Sequence, residues 1–308
     1  MEQIDFKTSL ERNWAETTAA ICHFIKEQVD SLKAEGMAIG ISGGLDSAVV
    51  AMLGVRALGP TGVKGIFLPE RDTSPASARL ARLLSETGNF SLTERDITPD
   101  LKVLGGYRGA VSSLARFKAV NRFTFWTLNC LLRTEPYSTT LEKTNINILN
   151  QAIAFYRLKH RLRMALIFQH AEQNNLLVAG CLNLTEYMTG FFVPFGDSAA
   201  DFAPILGLYK RQVRRLAEYL GVPKPIIERQ PSPDLLPGID DETALNISYK
   251  KLDLVLHGLE QKMPTQKIAS GSDTAVEAVE KIEQLIRLSE RLRTPIPSPD
   301  LSNGAEKN

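Results

Sequence analysis

The segment SGGLDS, residues 42–47, combines residue types that bind phosphate groups. Its glycines, Gly43 and Gly44, let backbone N–H groups approach phosphate oxygens closely, and Ser42 and Ser47 can donate hydroxyl hydrogen bonds to them. The segment lacks the lysine of the GxxxxGK[ST] phosphate loop and has Asp46 instead. A carboxylate can lie beside a phosphate when a divalent cation lies between them, so we expect Mg²⁺ there. The alternative interpretation is a tight strand-to-helix turn with an aspartate near the helix cap.

Further charged residues follow a second apolar segment, LLVAG at 176–180. Glu186 would place a second carboxylate at another strand end, and Mg²⁺ takes one or two acidic ligands together with water. Asp197 and Asp201 could contact a ribose or a base, and Lys210 could hold a phosphate or stabilise a leaving group. The alternatives are a helix-capping glutamate, a solvated loop and a lysine on a helix face.

A predicted helix over about residues 151–174 carries Arg161 and Arg163 in the segment KHRLRM. Apolar residues such as Phe155 and Ile167 are spaced to form its other face. The arginines fit a solvated basic stripe, and they equally fit a contact to an anion or to a second subunit. The residues alone leave both interpretations open.

Apolar segments at 37–42, 63–69, 90–97 and 176–180 are predicted strands, and helical patterns separate them. Strands that alternate with helices form crossover units, which predicts an α/β protein with a parallel sheet covered on both faces. Ligands of such sheets bind beyond the carboxyl ends of the strands, so the three polar segments above should meet there. Residues 98–150 break the alternation and are predicted to form an extended excursion. We expect one α/β domain over 1–260, followed by helices and a polar tail over 261–308.

The bulk composition is that of an ordinary globular protein, with 44% hydrophobic and 23% charged residues in a chain of 308. The net charge of +1 gives no reason to expect binding to nucleic acid or to membranes. The sequence has no apolar run near eighteen residues and no pattern of a signal peptide at its start, so a cytoplasmic protein is expected. The three cysteines, Cys22, Cys130 and Cys181, form no CxxC pair, which argues against a disulfide scaffold, a zinc site or redox chemistry.

Several longer motifs occur in an order and spacing that resemble the NAD synthetase family. They are SGGLDSA (42–48), LPERDTSP (68–75), RLRM (161–164), LVAGCLNLTE (177–186), GFFVPFGDSAAD (190–201), YKRQVRRLAEYLGVP (209–223), PSPDLLPGIDDE (231–242) and SYKKLD (248–253). The resemblance is to the ammonia-dependent synthetase domain of the N-type ATP pyrophosphatases, in the PP-loop superfamily. It implies a three-layer Rossmann-like sandwich of the adenine nucleotide alpha hydrolase type.

The resemblance also implies a reaction and a set of site residues. ATP would transfer AMP to the nicotinate carboxylate of deamido-NAD with release of pyrophosphate, and ammonia would then displace AMP to give NAD. Asp46 and Lys210 would be catalytic, Asp46 and Glu186 would bind Mg²⁺, and Arg161, Asp197 and Asp201 would contact the acid substrate. The implied ATP-binding residues are Gly40, Ser42, Gly43, Gly44, Ser47, Leu68, Cys181 and Lys210.

The resemblance further implies a homodimer, and ammonia that is free or supplied by a separate glutaminase. The chain differs from the family's pattern on the side of the acyl acceptor. Cys181 stands where the family usually has Thr, Val193 and Pro194 where it has Thr-Lys, and Arg291-Leu292 where it has His-Lys. Two alternatives therefore stay open: a ligase that amidates a different carboxylic acid, and a degenerate ATP-binding regulatory protein. A tRNA-thiolating enzyme is disfavoured because paired cysteines and a basic RNA-binding surface are missing from the sequence.

Overall fold

The computed structural model describes residues 10–107, 147–230, 242 and 245–294. Most of the predicted excursion at 98–150, the proline-rich segment from 231 and the polar tail lie outside the described residues. Within them, the excursion begins with a short helix and returns to the sheet through the long helix that starts at Asn147.

Four parallel strands form the sheet: β1 Gly36–Gly40, β2 Val63–Phe67, β3 Ser91–Glu94 and β4 Leu176–Ala179. Their order across the sheet is β3-β2-β1-β4, which places β1 at the centre. Met37 pairs with Val63 on one side and with Leu177 on the other. All four predicted strands are confirmed, each shorter than the apolar segment that predicted it, and β3 spans only four residues of the segment 90–97.

The described α-helices connect and cover these strands. Their bounds are α1 Trp14–Ser31, α2 Leu45–Leu58, α3 Pro75–Gly88, α4 Thr98–Val103, α5 Asn147–Gln173, α6 Leu184–Thr189, α7 Lys210–Leu220, α8 Lys224–Ile227, α9 Tyr249–Glu260, α10 Thr265–Ser272 and α11 Val276–Arg293. The residues at several helix ends explain why the helix begins or ends there. Asn13 caps α1 through its side chain, Ser74 caps α3 ahead of a proline at the first helical position, and α7 ends at Gly221 in the left-handed conformation.

The central strand β1 is buried on both faces. Met37 and Ile39 belong to a hydrophobic cluster formed with side chains of α1, α2 and α7. Ala38, between them, belongs to a second cluster that includes Ile167 and Ala171 of α5. Side chains alternate between the two faces of a strand, so helices cover the sheet on both sides. The predicted three-layer α/β fold with a parallel central sheet is confirmed.

A third hydrophobic cluster joins the C-terminal helices to the rest of the fold. Leu252 and Leu256 of α9 pack there with Ile268 of α10 and Val279 of α11, and Leu184 of α6 packs against them. The predicted boundary near residue 260 stays a prediction. None of the described helices is long and apolar enough to cross a membrane.

Candidate active site

The SGGLDS turn follows the carboxyl end of β1 and leads directly into α2. Gly43 has a φ of 74°, and a Cβ added to it would lie 2.6 Å from the carbonyl oxygen of Ser77, so the position requires glycine. The hydroxyl groups of Ser42 and Ser47 lie 3.1 Å apart. Within the described part of the chain no side chain caps the N-terminus of α2, which begins after Gly44. The first N–H groups of α2 are therefore oriented for an anionic ligand.

Lys210 connects the two predicted metal-binding carboxylates. Its Nζ lies 2.5 Å from Oδ2 of Asp46 and 3.3 Å from Oε1 of Glu186, and its side chain is only 7% exposed. Asn183 donates a hydrogen bond of 3.0 Å from Nδ2 to the other oxygen of Asp46. The ammonium group thus balances two carboxylates that are far apart in sequence, and it brings Glu186 close to Asp46 of the SGGLDS turn.

Asp46 and Glu186 also fit the predicted Mg²⁺. An oxygen of each lies within 3.3 Å of the same lysine nitrogen, so one small cation could contact both. Across the described residues no three His, Cys, Asp or Glu side chains are grouped closely enough to hold a metal. Because Mg²⁺ commonly uses one or two protein carboxylates and completes its shell with water and phosphate, this donor set suits a metal that arrives with a nucleotide.

Buried hydrogen bonds fix the start of α7 and therefore the position of Lys210. Asp253 accepts a hydrogen bond of 2.6 Å from the Thr185 hydroxyl and one of 2.8 Å from the backbone N–H of Arg211. The Thr185 oxygen accepts in turn from the N–H of Lys210, at 2.9 Å. Burial raises the pKa of Asp253 to about 6, against the hydrogen bonds and the positive charges of Arg211 and Lys210, which lower it.

The raised pKa of Asp253 predicts a pH-dependent stability. The folded pKa of about 6 exceeds the ordinary value of 3.8, so the folded protein holds the proton in the window between them. The free energy of unfolding should therefore fall by up to about 3 kcal/mol from this group as pH rises through that window. Urea unfolding between these two pH values should give a flatter pH dependence for Asp253→Asn. Asp30→Asn, on the exposed surface of α1, is the control and should keep the wild-type slope. Equal slopes for the wild type and Asp253→Asn would contradict the prediction.

A cavity of about 300 Å³ extends from the SGGLDS turn along the carboxyl edge of the sheet. Its lining residues also include Tyr156, His160 and Arg163 of α5, together with Phe191 and Asp197. Arg163 donates from Nε to the carbonyl oxygen of Leu68, at 3.0 Å, and so fixes the loop after β2 against α5. We call the SGGLDS turn with Glu186 and Lys210 the first wall, which is suited to phosphate and metal, and the lining residues of α5 with Phe191 and Asp197 the second wall, which is aromatic and partly charged.

Most of the residues predicted from the sequence line this cavity. They are Gly40, Ser42, Gly44, Asp46, Ser47, Leu68, Cys181, Glu186, Asp197 and Lys210. Burial raises the pKa of the Cys181 thiol, and the nearby charges of Asp46 and Glu186 raise it further, so this cysteine stays protonated. Cys181 is thus a compact neutral side chain in the cavity wall.

The structure places Gly43, Arg161 and Asp201 outside the cavity lining. Arg161 is exposed and donates from Nε to the carbonyl oxygen of Pro194, at 3.1 Å. Asp201 accepts a hydrogen bond of 2.7 Å from the backbone N–H of Val178, so its carboxylate braces the edge strand β4. Two of the three side chains predicted to contact the substrate, Arg161 and Asp201, thus hydrogen-bond to backbone groups in this structure, and their contact with the acid stays a prediction.

Arg229 is a site residue that the sequence interpretation missed. Its guanidinium donates to the carbonyl oxygen of Gly43 at 3.0 Å and to the Ser77 hydroxyl at 2.9 Å, and the residue lines the cavity. It thereby ties the SGGLDS turn to the start of α3. Arg229 carries no local sequence signal, since it lies 186 positions from Gly43. His160 and Tyr156 were also missed, because nothing in the sequence around them indicates that they line the cavity.

The glycine turn with Asp46 after the central strand, and Glu186 that meets it after another strand end, are features of PP-loop nucleotide-binding proteins. Comparisons with known proteins agree with that class and narrow it. A family model described as NAD synthase matches residues 17–123 and 127–295. The chain belongs to the NAD synthase family.

Individual relatives cover most of the chain. An NH(3)-dependent NAD(+) synthetase of Thermotoga neapolitana is 38% identical over 284 residues, which are 90% of this chain and 94% of the relative. Another, of Coprothermobacter proteolyticus, is 42% identical over 258 residues, covering 80% of this chain and 85% of the relative. The solved structure of an NMN synthetase from Francisella tularensis superposes with a TM-score of 0.71 at 25% identity, covering 94% of this chain and all of the other.

Proposed function

We propose that this protein is an ammonia-dependent ligase that converts deamido-NAD to NAD at the expense of ATP. The observation that carries the proposal is the position of Lys210 between Asp46 and Glu186, beside a glycine turn whose helix N-terminus is free to bind an anion. The synthetases named above, which cover most of the chain at 38–42% identity, support the same activity.

The residues of the first wall would hold the phosphates of ATP. Backbone N–H groups at the start of α2 and the hydroxyls of Ser42 and Ser47 would bind the pyrophosphate portion. Asp46 and Glu186 would hold Mg²⁺, which when bound neutralises the negative charge of the phosphates. Lys210 would then face the phosphates as the carboxylates turn to the metal, and would stabilise the charge that develops on the leaving pyrophosphate. These residues accelerate adenylation through position and charge.

The residues of the second wall would hold the acid. Its carboxylate attacks the α-phosphate, the bond between the α and β phosphates breaks, and pyrophosphate leaves. Asp197 lines this wall, whereas Arg161 and Asp201 would act indirectly, by fixing the Pro194 loop and the edge strand β4. We further propose a homodimer that acts in the cytoplasm, with ammonia that is free or supplied by a separate glutaminase.

A second candidate function is amidation of the smaller acid that corresponds to NMN. The likeness to the NMN synthetase of Francisella tularensis, at a TM-score of 0.71, favours it. The apolar pair Val193 and Pro194 in the loop beside Asp197 is consistent with an acceptor site that differs from one for the dinucleotide.

The test is a substrate comparison with the purified protein. ATP, Mg²⁺ and ammonium are supplied with deamido-NAD, with nicotinate mononucleotide or with neither, and the amide, AMP and pyrophosphate are quantified by chromatography. The proposal expects equal amounts of the three products with deamido-NAD and none without an acid. Turnover with the mononucleotide alone would favour the second candidate. Binding of ATP without pyrophosphate release, whichever acid is supplied, would contradict both and favour a regulatory protein.

A further inference from the structure

His160, a residue of the second wall, carries a buried and unsatisfied nitrogen. The residue projects from α5, lines the cavity, and has a side chain only 14% exposed. Its Nε2 is shielded from solvent and has no hydrogen-bond partner among the described residues. A buried polar atom without a partner costs free energy, so its retention beside a ligand cavity points to a partner that arrives with the substrates.

The other ring nitrogen of His160 faces a carboxylate. Nδ1 lies 3.4 Å from Oδ2 of Asp197, whose Oδ1 accepts a hydrogen bond of 2.6 Å from the backbone N–H of Val193. The backbone contact anchors the carboxylate of Asp197, and the anchored carboxylate can keep the imidazole proton on Nδ1. Nε2 then carries the lone pair and is the proton acceptor. The ring of Tyr156, 5.0 Å away between centroids, limits the rotation of the imidazole.

We propose that His160 is a catalytic residue of the amide-forming half of the reaction, where Nε2 accepts a proton from the attacking nitrogen. The inference rests on the proposed function, since it assumes an acyl adenylate in the cavity. Within the second wall, which holds the acid during adenylation, it gives His160 the separate task of serving the nucleophile.

The step balances as follows. Ammonia attacks the carbonyl carbon of the acyl adenylate, and a carbon–nitrogen bond forms from the nitrogen lone pair. The nitrogen, now positively charged, gives one proton to Nε2 of His160. The carbonyl re-forms as the carbon–oxygen bond to AMP breaks, and AMP leaves with that electron pair. The imidazolium then releases its proton to solvent when the products leave.

The charged groups around His160 favour a neutral imidazole before the step. Burial lowers the pKa of His160 most. The positive charges of Arg163 and Lys159 on the same helix lower it further, and the negative charge of Asp197 raises it. A neutral imidazole is the form that can accept a proton.

The experiment separates the two halves of the reaction. His160→Gln, which keeps much of the side-chain volume, is compared with the wild type in ATP–pyrophosphate exchange and in amide formation. We expect unchanged exchange and amide formation lower by about 10²-fold, the usual contribution of a general base. With hydroxylamine, whose less basic nitrogen gives up its proton to water more readily after attack, formation of the hydroxamate should fall much less. His23→Gln, at an exposed position of α1, is the matched control and should match the wild type in all three assays.

Asp197→Asn is the second variant and tests the same inference without altering His160. Its amide oxygen can keep the contact to the Val193 N–H, but the carboxylate beside Nδ1 is lost. We expect a smaller loss of amide formation than in His160→Gln, and one that exceeds the loss of exchange. A parallel fall of exchange and amide formation in either variant would overturn the inference, and so would amide formation that stays at the wild-type rate. Wild-type protein that fails to exchange with any acid would instead contradict the proposed function.

Discussion

Replacement of Lys210 by methionine is expected to reduce product formation by about 10²- to 10³-fold, the range observed when one preorganised charge-stabilising group is removed. Methionine keeps the length and apolar packing of the side chain and removes its charge. Asp46 and Glu186 would then face each other without the ammonium that now lies 2.5 Å and 3.3 Å from their oxygens. The loss should fall on ATP–pyrophosphate exchange as much as on amide formation, because Lys210 belongs to the first wall.

Two further variants make the Lys210 result specific. Lys224→Met removes an exposed lysine at the start of α8 and should leave both assays unchanged. Lys210→Arg keeps the charge but not the point-like ammonium, so it should recover part of the exchange activity. Circular dichroism and thermal unfolding establish that each variant is folded. Exchange in folded Lys210→Met that stays within tenfold of the wild type would show that Lys210 only balances the carboxylates.

The sequence was sufficient to predict the parts of the site that form locally. SGGLDS was predicted to lie at a strand end because an apolar segment precedes it and an apolar helix follows it, so its glycines and serines could be assigned by their neighbours alone. Glu186 could be added because it follows another predicted strand, and parallel strands bring their carboxyl ends to one edge. The four strands and their alternation with helices were predictable for the same reason.

The remaining contacts could not be predicted because they depend on side-chain direction across distant elements. Lys210 was assigned to a phosphate, yet the folded chain directs its ammonium to Asp46, 164 positions away. Asp201 was assigned to the substrate, and its hydrogen bond with the N–H of Val178, on the edge strand β4, could not be read from the sequence. Arg229 and His160 gave no signal, since one isolated arginine or histidine on a helix or loop has many possible partners.

Replacement of Lys159 by methionine is expected to destabilise the fold by about 3 kcal/mol, the lower end of the cost of breaking a buried ion pair. Lys159 Nζ lies 2.8 Å from Oε1 of Glu70 and 3.1 Å from Oδ2 of Asp72, and the lysine side chain is 3% exposed. Glu70 is fully buried and also accepts hydrogen bonds from the Tyr107 hydroxyl and the backbone N–H of Asp72. Without the ammonium, these carboxylates lose much of the charge that compensates their burial.

A double-mutant cycle distinguishes a lost charge from lost packing. Glu70→Gln removes the buried negative charge, so the pair Lys159→Met and Glu70→Gln should be less destabilised than the sum of the single variants, by about 1–3 kcal/mol. Urea unfolding of the four proteins measures this coupling, and additive effects would contradict it. Arg82→Met provides a comparison, since it breaks an exposed ion pair with Glu94 that solvent screens, and it should shift the midpoint much less.

The same cycle tests how the ion pair of Lys159 and Glu70 supports the cavity. The N–H of Glu70 donates to the hydroxyl of Thr73 at 2.9 Å, and Thr73 lines the cavity that Lys159 itself does not reach. The ion pair therefore supports the loop after β2, and it joins that loop to α5, the helix that carries His160. Lys159→Met should accordingly lose activity per folded molecule as well as stability, and the Glu70→Gln partner should restore part of both. Recovery of stability without recovery of activity would mean that the loop needs the charges themselves, and not only their balance, to keep the cavity wall in place.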